Sequence, residues 1–182
     1  MFENDDARLV QQCLKGRIQA FETLVLRHQK TIFNLVYRMC NDYDDAQDIT
    51  QHVFIKVYEN LESYKSRYKF YSWIYRIAIN DTINHLMKKK HSTGLKETFK
   101  AINSDPSETY NQREISTHVQ RALMMLNSDY RTLLVLKHFQ DCSYQEMSQI
   151  LGIAEKTVKS RLYMARQQLA KILHKQGIKT ND

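Results

Sequence analysis

Apolar residues recur along this chain at intervals of three and four and almost never at two, which lays stripes on helices and leaves no room for long strands. Asp6 to Lys15 reads as a short helix with Leu9, Val10, Cys13 and Leu14 on one face, stopped by Gly16. The stretch from about Gln19 to Cys40 predicts a second helix, striped by Phe21, Leu24, Val25, Ile32, Leu35, Val36 and Met39. After a break at Asn41-Asp42, a third is predicted from about Asp44 to Leu61, with Ala46, Ile49, Val53, Phe54, Val57 and Leu61 inward. A polar, aromatic-rich connection spans 62–70, and a fourth helix runs from about Tyr71 to Lys90. Together these predict one bundle with a contiguous core over residues 1–90.

Periodicity fades between His91 and Asn111, where Gly94, Ser104, Pro106 and Ser107 stand among polar residues, so 91–111 reads as a flexible linker with a reach of roughly 25 Å. A second unit is predicted over 112–176. Ile115, Val119, Ala122, Leu123 and Leu126 stripe one helix, and Leu133, Leu134, Leu136 and Phe139 stripe another after an Asn127-Ser128 cap. Ser143 then opens a helix that Glu146 can close as a capping box, with Met147, Ile150 and Leu151 apolar and Gly152 placed to end it. The next helix buries Val158, Leu162, Ala165, Leu169 and Leu173 on one face. Helix, glycine-centred turn and helix make a helix-turn-helix. The fold class is all-α: two small helical domains joined by a flexible linker, the second containing that motif.

Charge adds a second layer. The net +7 is uneven: residues 1–60 carry 7 basic and 9 acidic groups, 61–100 carry 9 and 3, 101–150 carry 4 and 6, and 151–182 carry 7 and 2. Two basic blocks beside near-neutral scaffolds imply two contacts with a polyanion. Cys13, Cys40 and Cys142 are odd in number and widely spaced, which fits a reducing compartment. No metal-ligand spacing, signal sequence or membrane-length apolar run is visible, so a soluble cytoplasmic protein without metal or cofactor is expected. No catalytic motif occurs either, so the expectation is a protein that is not an enzyme and has no small-molecule substrate.

Three constellations carry candidate chemistry. On the outer face of the last helix, Lys156, Thr157, Lys159, Ser160, Tyr163 and Arg166, with Arg161 at the edge, offer cations and hydroxyls to phosphates and base edges in a major groove. The segment from Lys65 to Arg76 holds five aromatics in eight residues, interleaved with four cations. Unpaired bases stack on such rings, at about 1–3 kcal/mol each. Lys65, Arg67, Tyr68, Lys69, Phe70, Tyr71, Trp73 and Arg76 are the candidates, at least one of Trp73 and Tyr75 being assigned to the core. Asn80, Asn84 and Lys88 continue the set along the fourth helix. Asp44, Asp45 and Asp48 literally match an aspartate-rich magnesium motif, but no second cluster faces them. Acidic residues in a first helical turn complement the helix dipole. With Gln51, His52, Ile55 and Glu59 they form a face suited to docking a protein.

The order of these parts resembles a sigma factor of RNA polymerase, of the small two-domain extracytoplasmic-function group. The resemblance rests on Ala20-Phe21-Glu22, Asp44-Asp45-Ala46-Gln47-Asp48, Phe70-Tyr71-Ser72-Trp73-Ile74-Tyr75-Arg76 and Thr157-Val158-Lys159-Ser160-Arg161-Leu162, and covers about residues 7 to 173. It implies that the acidic helix face docks on the clamp helices of the polymerase's largest subunit. Residues 65–76 would help melt the promoter's −10 element and the Asn80–Lys90 helix would read it, while Lys156–Arg166 would enter the major groove of the −35 element. An anti-sigma factor is implied as a further partner. The sequence departs from the family pattern at Ala154, where a capping serine or proline is usual, at Lys156, and at Asn127. A stand-alone helix-turn-helix regulator with an N-terminal dimerising or sensing bundle is the competing expectation, and it leaves 65–76 idle.

Overall fold

A computed structural model describes the backbone of residues 3–93 and 110–177 and the side chains of 5–91 and 117–177. Among these residues the chain is helical throughout: α1 (Glu3–Leu14), α2 (Ile18–Cys40), α3 (Tyr43–Glu59), a single 3-10 turn at Leu61–Ser63, α4 (Phe70–Thr93), α5 (Tyr110–Met124), α6 (Ser128–His138), α7 (Tyr144–Leu151) and α8 (Glu155–Lys175). Most of the predicted linker, 94–109, lies outside the described residues, as does the Ile115 side chain. The helices flanking it are longer than the fading pattern suggested, α4 continuing to Thr93 and α5 beginning at Tyr110.

Local chemistry explains the boundaries. Asn41 takes the left-handed conformation (φ 55°) that asparagine tolerates and sends its N–H to the Tyr37 carbonyl. Asp42 then caps α3, its carboxylate accepting from the amides of Asp44 and Asp45. Asn127 caps α6 through the Tyr130 amide. Ser143 and Glu146 close a reciprocal capping box on α7, and Gly152 (φ 67°) ends that helix. At the start of α8, Ala154 offers no side-chain bond.

The first four helices enclose Leu24, Ile32, Leu35, Val36, Met39, Ala46, Val53, Val57, Ile74 and Ala78, and the last four enclose Leu123, Leu133, Leu134, Leu136, Met147, Ile150, Val158, Leu162 and Ala165. These two sets join into one continuous core. α2 packs against α5 and α6, and α4 packs against α7. The joint includes a buried cation. Arg131 donates to the carbonyls of Leu123, Met124 and Leu126 in its own unit and, at 2.6 Å, to Met39 at the end of α2. A guanidinium has five donors and no acceptor, so carbonyls left over at helix ends are its natural partners.

Candidate nucleic-acid interface

On α8 the apolar stripe faces inward and the cations face out. Lys156, Lys159, Ser160, Arg161, Tyr163 and Arg166 are all exposed, Tyr163 at 62 %, while Thr157 is half-buried. Several are held by neighbours. Lys159 pairs with Glu155 one turn earlier (2.8 Å), which raises its pKa, and its ammonium lies 5.3 Å from the centre of the Tyr144 ring. Arg166 donates through Nε to Nε2 of His138 (3.3 Å), and burial, Arg166 and Lys137 lower the His138 pKa, keeping the imidazole an acceptor. Arg161 turns away from this face and lines a cavity of about 220 Å³ with Arg76 and Asn80.

The 65–76 segment is divided. Its loop is tied at the base by the Tyr64 hydroxyl donating to the Tyr68 carbonyl (2.7 Å), which leaves Lys65 and Arg67 exposed and sets the Arg67 guanidinium 4.7 Å from the centre of the Tyr68 ring. Tyr68 is the ring most open to solvent, at 39 %. Phe70, expected to contact a strand, is instead core: 3 % exposed, at 5.4, 5.5 and 5.8 Å from the rings of His28, Tyr64 and Trp73. The first residue of α4 points into the bundle because it is the one that closes α4 against α2. Trp73 is half-buried in the same aromatic cluster, and Tyr75 is buried at 6 %.

Lys69 and Tyr71 are half-buried for another reason. Lys69 Nζ lies 2.9 Å from Glu146 Oε1, and the Tyr71 hydroxyl donates to that oxygen. Burial works to raise the Glu146 carboxyl, but Tyr71, the Ser143 amide and Lys69 together hold it at about 2. Burial, aided by the same carboxylate, pushes the Tyr71 hydroxyl to about 12. Tyr75 donates to Gln140 Oε1 at 2.9 Å. Further along α4, Arg76, Asn80, Asn84 and Lys88 are exposed, and Arg76 reaches over Gly152, its Nη2 within 3.6 Å of where a Cβ would stand.

On α3, Asp44, Asp48, Gln51, His52, Ile55 and Glu59 form one exposed face. Asp45 does not join it. Its carboxylate turns to α4, 3.2 Å from His85 and 2.5 Å from Lys89, so it braces the two helices and is not presented for docking. Tyr58, 55 % exposed and one turn from Ile55, extends the apolar part of this surface with its ring edgewise on Phe21. Tyr58 escaped the sequence reading, although its three-residue spacing from Ile55 was there to be used. Glu146, Gln140, Gln120 and Arg38 also escaped it. Glu146 had a complete explanation as a cap, and the others carry no periodic signal.

Among the described residues no group of histidine, cysteine or acidic side chains is disposed to hold a metal ion, and no helix is long and apolar enough to cross a membrane.

Comparison with known proteins places these parts. The profile of Sigma-70 region 2 matches residues 24–92 and that of Sigma-70, region 4 matches residues 117–169. The chain is 32 % identical to the RNA polymerase sigma-H factor of Pseudomonas aeruginosa over 94 % of its length and 95 % of that protein's. It is 34 % identical to the ECF RNA polymerase sigma factor SigW of Bacillus subtilis, over 90 % of this chain and 94 % of the relative. Among solved structures, the sigma factor RpoE in complex with the anti-sigma factor NepR from Bartonella quintana shares the fold, with a TM-score of 0.73 at 23 % identity over 85 % of this chain and 96 % of that one.

Proposed function

The chain belongs to the extracytoplasmic-function group of sigma-70 factors, and on that footing we propose how its surfaces divide the work of directing promoter-specific initiation by RNA polymerase. The unit of residues 1–90 docks on polymerase and handles the −10 element, 112–176 holds the −35 element, and 91–111 tethers them. The exposed α3 face of Asp44, Asp48, Gln51, His52, Ile55 and Glu59 meets the clamp helices of the polymerase's largest subunit, with Tyr58 added to the apolar contact. Lys65, Arg67 and Tyr68 receive the unpaired strand, and Lys69, Tyr71, Arg76, Asn80, Asn84 and Lys88 continue its path. The α8 face of Lys156, Lys159, Ser160, Tyr163 and Arg166 enters the −35 major groove. The chain contributes recognition and the polymerase the chemistry, so no catalytic group, metal or cofactor of its own is called for. Its setting is the cytoplasm, where polymerase and promoter are.

One observation carries this reading: Ile55, 53 % exposed, stands amid acidic and amide side chains on a helix separate from both cationic surfaces. A stand-alone regulator could use such a face to dimerise, but it would leave the exposed Lys65, Arg67 and Tyr68 idle. Replacing Ile55 with Glu should abolish capture by core polymerase and run-off transcription while leaving the thermal unfolding midpoint unchanged. Undiminished capture would remove α3 from the interface. Because RpoE was solved bound to the anti-sigma factor NepR, a protein inhibitor of the same kind is proposed as this chain's regulatory partner.

A further inference from the structure

The loop between the 3-10 turn and α4 has a hydrogen-bonded frame of its own. The Tyr64 amide donates to the Leu61 carbonyl (3.2 Å) and the Tyr68 amide to the Lys65 carbonyl (3.0 Å), while the Lys69 carbonyl takes the Ser72 and Trp73 amides that start α4. One side chain crosses the neck between these turns. The Tyr64 hydroxyl donates to the Tyr68 carbonyl at 2.7 Å, and among the described residues no other side chain bonds the backbone of 65–68. The Tyr64 ring is itself held, edgewise to Phe70 (5.5 Å between centroids, 83°) and tilted on Trp73 (5.5 Å, 49°). Phe70 is core, so the bundle decides where the hydroxyl points. Burial, and after it the charge of Asp6, raises the Tyr64 pKa, which keeps that hydroxyl a donor.

We propose that Tyr64 is a positioning residue for strand capture: its hydroxyl fixes the peptide that carries Tyr68, so that this ring and the Arg67 guanidinium beside it meet an unpaired base already ordered. The inference deepens the assignment of Lys65, Arg67 and Tyr68 to the strand and rests on it. Its physical ground is entropy. A loop that must order its backbone as it binds loses affinity to that ordering, and a loop tethered beforehand does not. One tether serves two groups, because the Arg67 guanidinium lies 4.7 Å from the centre of the Tyr68 ring and is placed with it. The bond itself lies at the surface, where water replaces a lost donor, so its removal costs the fold little. What it holds is the presentation of the ring.

The test is a double-mutant cycle in the full-length chain assembled with core polymerase, read as the opening of a transcribed promoter that carries 2-aminopurine in its −10 strand. Tyr64→Phe keeps the ring and its packing and removes only the donor. With Tyr68 present it should lower the opening equilibrium about fivefold, the size expected of one neutral hydrogen bond, while the urea midpoint holds. In a Tyr68→Ala background the tethered peptide no longer carries a ring, and the same substitution should cost less than about twofold. Capture by core polymerase and binding of the −35 duplex should be equal throughout the cycle. A fivefold loss in both backgrounds, no loss with Tyr68 present, or a fall in urea midpoint that accounts for the loss would overturn the proposal. Failure of the strand assignment looks different. Tyr68→Ala alone would then open the promoter as well as wild type, and the role of Tyr64 would go with it, whereas an impaired Tyr68→Ala beside a normal Tyr64→Phe sinks only the tether.

Discussion

Segment 65–76 and helix α8 look alike as strings, each interleaving cations with rings and hydroxyls, yet the fold treats them differently. α8 keeps nearly its whole set outward because Val158, Leu162 and Ala165 collect the apolar positions on one face and the 3.6-residue period separates the rest. The other segment starts in a loop and ends in the first turns of a helix gripped from two sides. α2 and the Tyr64 ring take Phe70 and Trp73, while Gln140 in the turn before α7 takes Tyr75 and Glu146 of α7 takes Lys69 and Tyr71, leaving the tip at Lys65, Arg67 and Tyr68 in water. Composition alone ranks the two stretches equal. What separates them is whether a regular period assigns the faces or neighbouring helices do.

The largest effects should come from substituting rings on either side of that divide. Phe70→Ala removes a ring buried among three others and should lower stability by about 3–5 kcal/mol, read as a fall in urea midpoint. Tyr68→Ala, two residues away, should leave the midpoint within about 0.5 kcal/mol of wild type. It should instead weaken polymerase-dependent promoter opening by about 1–3 kcal/mol, the worth of one base stack. Stability loss at both positions would erase the distinction between loop tip and core. Opening defects at both would mean that Phe70 leaves the core when polymerase binds.

On the α8 side the contrast can be sharpened with salt. Lys159 is exposed, ion-paired across one helical turn and set against the Tyr144 ring, so in duplex DNA its ammonium exchanges Glu155 for a phosphate. Lys159→Ala should flatten the dependence of log affinity on log salt by about 0.9, the release of one counterion. An unchanged slope would show that Lys159 stays with Glu155 and Tyr144 in the complex and contributes nothing to phosphate contact.

Much of this was legible in the sequence, and the limits are physical. Asn41-Asp42, Ser143 with Glu146, and Gly152 are punctuation whose chemistry is local, and each does in the structure what its side chain allows. Long-range partners carry no such signature. Asp45 reads as one member of an acidic run, but His85 and Lys89, some forty residues on, turn it inward. Arg131 carries no signal in the periodic pattern, yet it is 7 % exposed and bonds four carbonyls across both units. Glu146 is the subtlest case. Its capping role is visible in the sequence and true, and being sufficient it hid the second role, which uses the other carboxylate oxygen.

The smallest prediction compares the two helices of the motif itself. Ser143 and Ala154 stand at equivalent N-caps in nearly the same extended conformation, φ −68° and ψ 161° against φ −60° and ψ 143°. The serine oxygen accepts from the Glu146 amide, whereas the alanine leaves the first amides of α8 to solvent. Backbone geometry is therefore already right for a cap, and only the acceptor is missing. Ala154→Ser should stabilise the protein by about 1 kcal/mol, which for a chain of this length raises the unfolding midpoint by about 2–4 °C. The salt slope of duplex binding should stay as it is, because no phosphate contact has been added. Ala154→Gly separates the oxygen from mere loss of the methyl, and it should give a smaller rise in midpoint than serine. Equal midpoints for all three residues would mean that α8 is held by its buried stripe so firmly that its first turn never frays.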